Sequence, residues 1–205
     1  MIDFYTFTTP NGRKVAIALE ELGLPYTVKV VDLNKGEQHK PEYLAINPNN
    51  KIPAIIDHDV PGGLRVFESG AILVYLAEKT GQLMPSDAAR KSEVMEWLMF
   101  QMSGVGPMFG QLNYFARTAG QKLPLAIERF QNESERLMRV LDKQLSSRDY
   151  LASGYSIADI AMYPYLAWFR QTIPELFTSR PGVIQWMERV GARPAVQRGM
   201  KVPNL

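Results

Sequence analysis

The sequence predicts an α/β domain of order βαβ then ββα, followed by an all-helical domain. Strand and helix patterns alternate through residues 1–82, whereas only long helical periods remain after Ser86. A stretch with a proline, Leu83 to Ser86, separates the two patterns. We therefore expect a first domain at residues 1–82 and a helical domain at residues 87–205.

The βαβ part has a clear signal for each element. Ile2 to Phe7 is predicted to form a strand, and the turn after it leads into a helix with apolar residues at helical spacing. Gly23 ends that helix, because glycine is the usual residue after a helix C-terminus. Tyr26 to Val31 is rich in β-branched residues and predicts the second strand.

The ββα part follows a polar segment. Two short apolar runs, Pro53 to Asp57 and Leu64 to Phe67, flank a turn that contains Gly62 and Gly63, which predicts a hairpin. Ser69 then begins a helix that ends at Gly81.

The second half contains helical signals only. Asp87 to Arg117 is predicted to be one long helical region, bent at Gly104 to Pro107. A second helix covers Leu125 to Leu145, and a third begins at a capping-box pattern, Ser156 to Asp159. Pro181 begins a shorter helix.

Composition narrows the class of function. The 205 residues are 46% hydrophobic and 21% charged, which is typical of a folded globular chain. The 23 Lys and Arg against 21 Asp and Glu form no dense basic run, so we expect no nucleic acid partner. The N-terminal residues lack the apolar core of a signal peptide, and the longest apolar run, Ala71 to Ala77, is too short to cross a membrane. We therefore expect a cytoplasmic protein without a membrane partner.

The chain contains no cysteine and two histidines, His39 and His58. Disulfides, thiolate catalysis by the chain itself and zinc sites built on sulfur are therefore impossible. We expect no metal site, and we expect any sulfur chemistry to depend on a ligand.

Three motifs give the chain a family resemblance. Asn50 to Ile55 reads NKIPAI before a strand, Phe67 to Ile72 reads FESGAI at the start of a helix, and Tyr155 to Ala161 reads YSIADIA. With these motifs the chain resembles the cytosolic glutathione transferase superfamily over nearly its whole length, which implies a thioredoxin-like first domain. The turn TPNG, Thr9 to Gly12, is similar to that of the bacterial nu class, which reduces disulfides with glutathione and is similar to the fungal nitrogen-regulator prion protein.

The resemblance implies a site for glutathione, which serves as co-substrate. Ser69 at a helix start can hold the γ-glutamyl carboxylate, because helix N-termini favour anions. Glu68 can bind the ammonium group. The resemblance also implies a cis peptide bond before Pro53, at which Ile52 would pair with the tripeptide backbone. Two further polar residues, Gln38 and, less strongly indicated, Lys51, can bind the glycyl carboxylate; the alternative for each is solvated surface.

The thiol end of the site falls on Thr9 and Asn11, at the turn where related folds that use their own thiols carry cysteines. Neither residue is a nucleophile near neutral pH, but both can donate hydrogen bonds to a thiolate. Tyr5 is the alternative donor, since some transferase classes use a tyrosine in this strand. By resemblance to nu-class members, Arg129 reaches the glutathione site, whether in its own subunit or across a dimer.

Three functions remain open. The first is a disulfide reductase in which bound glutathione supplies the thiolate and glutathione disulfide is the product. The second is a transferase that conjugates glutathione to an apolar electrophile, and the third is a regulatory module that binds glutathione without turnover. The superfamily commonly forms dimers, so the resemblance also implies a homodimer with two-fold symmetry.

Overall fold

The computed structural model describes residues 1–205, which form two compact units. The first unit combines Met1–Pro85 with Ala192–Leu205, and the second is Ser86–Gly191. The sequence-based division instead kept residues 87–205 together. Local sequence patterns give no information on long-range packing, so they could not show that residues 192–205 belong with the first unit.

Four strands form a mixed sheet in the first unit. They are β1 (Ile2–Thr6), β2 (Tyr26–Val30), β3 (Ala54–Asp57) and β4 (Leu64–Phe67), in the spatial order β2-β1-β3-β4. The pair β1 and β2 is parallel, as a helical crossover requires, and the other two pairs are antiparallel.

The two units together contain nine α-helices. In chain order they are α1 (Pro10–Leu22), α2 (Pro41–Leu44), α3 (Ser69–Thr80), α4 (Ala88–Met99), α5 (Gly106–Asn113), α6 (Pro124–Leu145), α7 (Ile157–Thr172), α8 (Pro181–Gly191) and α9 (Pro194–Gly199). The order of elements confirms the predicted βαβ and ββα arrangement with a helical second half, and the fold of the first unit is thioredoxin-like.

The two faces of β1 have different neighbours. Successive side chains of a strand point to opposite faces, and in β1 the side chains of Ile2, Phe4 and Thr6 are buried. The side chain of Tyr5 lies on the other face, where it packs with Tyr43 at a ring distance of 6.1 Å. This alternation decides which residues of the strand can reach the helix that follows it.

The helix α9 packs against α1 within the first unit. A side chain at Gly199 would come within 2.6 Å of the backbone N and Cα of Ile17, so the two helices approach closely at this point. Two ion pairs flank the contact: Arg193 binds Glu21 at 2.7 and 2.9 Å, and Arg198 binds Glu20 at 2.6 Å. The close backbone approach requires glycine at position 199.

The second unit contains two π-helical segments, Phe100–Val105 and Tyr114–Thr118. The expected bend at Gly104 to Pro107 is therefore a wider helical turn that begins at Phe100 and continues directly into α5, where Pro107 lies in the first turn. The capping box at Ser156 and Asp159 is confirmed. None of the helices combines the length and the apolar composition needed to cross a bilayer.

We expect Gly199→Ala to lower the free energy of unfolding by about 2–3 kcal/mol, because the new methyl group would overlap the backbone of α1. Urea unfolding followed by circular dichroism measures this change. Gly154→Ala is the matched control, since no heavy atom lies within 4 Å of the added carbon. Equal stability of the two variants would contradict the packing of α9 on α1.

Candidate functional site

The turn between β1 and α1 presents two polar side chains at a helix N-terminus. Thr9 caps α1 with extended backbone angles, and its Oγ1 accepts a hydrogen bond from the Gly12 N–H at 3.1 Å. The Thr9 hydroxyl donates its own hydrogen to no group of the chain. The half-buried Asn11 side chain makes no hydrogen bond within the chain. Two neutral donors are therefore available at the positive end of α1.

Gly12 allows α1 to start directly against the end of β1. A Cβ atom at this position would lie 2.3 Å from Thr6 Oγ1 and 2.7 Å from the carbonyl oxygen of Phe7. Real Cβ atoms do not approach so closely, so any other residue would push the first turn of α1 away from the strand. Gly12 thus determines where Thr9 and Asn11 lie.

Tyr5 has a different environment from Thr9. Its side chain points to the sheet face opposite Thr6, whereas α1 begins on the Thr6 side. Tyr5 lines a groove of 310 Å³ together with Tyr43, Val31 and Ile46. Desolvation raises the pKa of the Tyr5 phenol, and the Asp3 carboxylate adds to the rise. This placement favours Thr9 and Asn11 over Tyr5 as donors to a thiolate.

The loop before β3 is held by a buried asparagine. Asn47 is 1% exposed, and its Nδ2 donates to the Lys51 carbonyl oxygen at 2.7 Å. The Tyr43 hydroxyl donates to the same oxygen at 2.5 Å. The following Ile52–Pro53 peptide bond is cis, as the family resemblance predicts. Ile52 is buried and precedes Ala54, at which the register of β3 with its neighbours begins.

Glu68 occupies an unusual backbone conformation at the start of α3. Its φ of 71° and ψ of 117° lie in a region that residues other than glycine rarely adopt. The exposed Glu68 carboxylate accepts a hydrogen bond from Asn49 Nδ2 at 3.2 Å. Ser69, the first residue of α3, is 3% exposed. The Glu68 carboxylate, which can bind a cation, is therefore adjacent in the chain to the N-terminus of α3, which can bind an anion.

The two residues expected at the glycyl end lie in different surroundings. Gln38 belongs to a 3₁₀ segment, Glu37–His39, and its buried Oε1 atom has no hydrogen-bond partner in the chain. Buried polar atoms are normally satisfied, so a ligand could complete this one. Lys51 is exposed.

Arg129 lies on α6 in the second unit. It is exposed and lines a cleft of 740 Å³ with Met108, Phe130, Arg136 and Arg139. Its charge lowers the pKa of Glu133, after the larger effect of Arg136. The role of Arg129 toward glutathione stays a prediction.

The two histidines have separate surroundings. His39 is exposed, and His58 lies 3.1 Å from the Asp3 carboxylate. No group of three or more His, Cys, Asp or Glu side chains is arranged to hold a metal ion.

Sequence reasoning missed three residues of this region. Asn47 holds the Lys51 carbonyl within its own loop, and Asn49 contacts Glu68, 19 residues further along the chain. Lys14 is 1% exposed within α1. A lysine within the apolar face of a helix is a signal that could have identified it.

Two family matches cover most of the chain. Residues 8–79 match the family described as Glutathione S-transferase, N-terminal domain, and residues 124–189 match Glutathione S-transferase, C-terminal domain. This chain belongs to the glutathione S-transferase family. Among the relatives of this chain is the Disulfide-bond oxidoreductase YfcG of Escherichia coli (strain K12), 47% identical over an alignment of 205 positions that covers 98% of this chain and 94% of that protein.

Solved transferase structures have the same fold. A glutathione transferase from Burkholderia graminis with two glutathione molecules bound per subunit is 46% identical, covers 98% of this chain and 88% of its own, and has a TM-score of 0.93. A glutathione transferase from Pseudomonas putida with one glutathione disulfide bound per subunit is 44% identical, covers 98% and 91%, and has a TM-score of 0.92.

We expect Glu68→Gly to be about 1 kcal/mol more stable than Glu68→Ala, because glycine adopts positive φ without strain and both variants lose the Asn49 contact equally. Thermal unfolding of the pair measures the difference. At Glu128, within α6, the order should reverse, since glycine is about 1 kcal/mol worse than alanine inside a helix. The same order at both sites would refute strain at Glu68.

Proposed function

We propose that this chain is a glutathione-dependent disulfide-bond reductase that uses the thiolate of bound glutathione. The observation that carries the proposal is the pair of neutral donors, Thr9 and Asn11, at the N-terminus of α1 in a chain without cysteine. Support also comes from the family and from relatives that are named disulfide-bond oxidoreductases.

The donors are strong enough for the chemistry. Lowering the pKa of a thiol by two units requires about 2.7 kcal/mol. A hydrogen bond to a charged group contributes about 1.5–3 kcal/mol, so one or two donors suffice. The α1 N-terminus adds a favourable potential for the thiolate. The hydroxyl of Thr9 is well suited because it already accepts from Gly12 and directs its hydrogen elsewhere.

The other end of glutathione matches the start of α3. In our proposal the γ-glutamyl carboxylate binds at Ser69 and the N-terminus of α3, and the ammonium group binds the Glu68 carboxylate. Ile52 would pair with the peptide backbone beside Pro53. Gln38 and Lys51 would bind the glycyl carboxylate.

The reaction consumes two glutathione molecules. The first thiolate attacks one sulfur of the substrate disulfide, which forms a mixed disulfide and releases the other sulfur as a thiolate. A second glutathione thiolate then attacks the glutathione sulfur of the mixed disulfide. Glutathione disulfide leaves, the second half of the substrate leaves as a thiolate, and both released thiolates take up a proton. The two glutathiones in the Burkholderia relative support this stoichiometry.

A comparison of two substrates tests the function. We expect the protein to reduce a small disulfide, such as hydroxyethyl disulfide, faster than it conjugates a halogenated nitrobenzene. Coupling glutathione disulfide formation to a reductase that oxidises NADPH measures the first rate, and absorbance of the conjugate measures the second. A preference for the nitrobenzene would identify a conjugating transferase. Glutathione binding without either activity would identify a regulatory module.

We expect Asn11→Ala and Thr9→Val to lower kcat/KM for a small disulfide by about ten- to a hundredfold each, since each removes a donor to the thiolate. Thr9→Ser keeps the hydroxyl and is the matched control for Thr9→Val. Tyr5→Phe tests the alternative donor and should leave the rate within about twofold. A large loss for Tyr5→Phe, with normal rates for the other variants, would reverse the assignment.

The remaining expectations are also proposals: the nu class, a cytoplasmic location and a homodimer. The TPNG turn and the relation to disulfide-bond oxidoreductases support the nu class. Family membership supports the dimer, and sedimentation equilibrium should give twice the chain mass of 23.2 kDa.

A further inference from the structure

Lys14 is the most deeply enclosed charged side chain of α1. It is 1% exposed and lies among the largest fully buried side chains of the protein. The neighbouring positions on the same helix face, Ile17 and Ala18, are fully buried apolar residues. Lysine is almost never buried to this extent without an anionic neighbour, because removal of an ammonium group from water is costly.

Two opposing effects act on the amine of Lys14. Burial lowers the pKa of Lys14 to about 7, and attraction to the Glu68 carboxylate opposes this shift. Glu68 directly precedes α3, which packs against α1.

The other ionised groups on the neighbouring elements have partners of their own. On α9, Arg193 and Arg198 pair with Glu21 and Glu20. On β3, the Asp57 carboxylate binds Tyr75 and Lys79, at 2.7 and 2.6 Å.

We propose that Lys14 is a positioning residue for the γ-glutamyl carboxylate of glutathione, and that ligand binding transfers a proton from solvent to its amine. The inference rests on the proposed function, because it uses the carboxylate bound at Ser69. Lys14 belongs to α1 and Ser69 to the packed α3, and both side chains are buried.

The different burial of Ser69 and Glu68 determines whether ligand binding adds a proton to Lys14 or removes one. Ser69 is 3% exposed, whereas the Glu68 side chain is exposed. The ligand carboxylate at Ser69 therefore lies in a region of low dielectric, one residue along the chain from the Glu68 carboxylate whose charge acts on Lys14. The ligand ammonium at Glu68 lies toward water, which screens its repulsion of Lys14. The net effect of the ligand is to favour the protonated lysine.

Linkage converts this effect into a pH dependence. With a pKa of about 7, Lys14 is about half protonated at pH 7 in the free protein, and the ligand raises that pKa. Binding should then take up about half a proton per subunit at pH 7. Because the charged form binds more tightly, the dissociation constant should increase by about five- to tenfold from pH 6 to pH 8.

Calorimetry with S-methylglutathione tests the proposal, since this ligand has no thiol that could titrate. Titrations at pH 7 in phosphate and in imidazole, which have different ionisation enthalpies, give the number of protons taken up. We expect wild-type protein to take up about half a proton, and Lys14→Met to take up less than about a tenth. The Lys14→Met variant should bind about tenfold more weakly at pH 6 and should lose the pH dependence between pH 6 and 8.

Lys29→Met is the matched control, because Lys29 is an exposed lysine of β2 outside the proposed site. It should keep the wild-type proton uptake and affinity. Wild-type binding without proton uptake, or with proton release, would overturn the role of Lys14 even if Lys14→Met were unstable. Absence of any binding of S-methylglutathione or glutathione to wild-type protein would instead overturn the proposed function.

Discussion

In this structure the first turn of α1 lies so close to the end of β1 that a side chain cannot fit between them. Gly12 makes this contact possible, with the hydroxyl of Thr6 and the carbonyl of Phe7 on the other side. Three features of the site depend on it. It places the hydroxyl of Thr9 at the helix cap, it places Asn11 in the first turn beside it, and it sets where α1 lies against α3 and α9.

In the proposed site, the neutral polar side chains lie at the thiol end of glutathione and the charged side chains lie at its γ-glutamyl end. Around the thiol end, the chain offers a hydroxyl and an amide, neither of which titrates near neutral pH. Around the γ-glutamyl end, it offers Glu68, the N-terminus of α3 and the buried Lys14. The group that titrates at the sulfur is therefore the thiol of the ligand itself. The ionisable groups of the protein bind the other end of the tripeptide. In the proposed mechanism, this division lets a chain without cysteine act on sulfur.

Much of the fold could be predicted because its boundaries are local. Gly23 and the glycine pair in the hairpin adopt positive φ, which few other residues tolerate, so they indicated where elements end. The first residue of α3 was likewise visible in the sequence. The cis bond before Pro53 came from the family resemblance, since spacing alone does not distinguish the isomers.

Features that depend on distant partners could not be predicted. The contacts of Asn49 with Glu68 and of Arg193 with Glu21 join residues far apart in the chain. The π-helical turn at Phe100–Val105 begins before the glycines that were expected to cause a bend. No residue type near Phe100 indicates this change in the helical hydrogen-bond pattern. The strain at Glu68 was hidden for the same reason: a glutamate gives no local sign of positive φ.

The position of α9 has a consequence for biosynthesis. The first unit is assembled from two segments, Met1–Pro85 and Ala192–Leu205, and the whole second unit lies between them in sequence. During translation, the surface of α1 that receives Gly199 therefore stays uncovered until the ribosome has made the second unit and residue 199. The helical unit can reach its final form before α9 has left the ribosome, whereas the first unit becomes complete only afterwards.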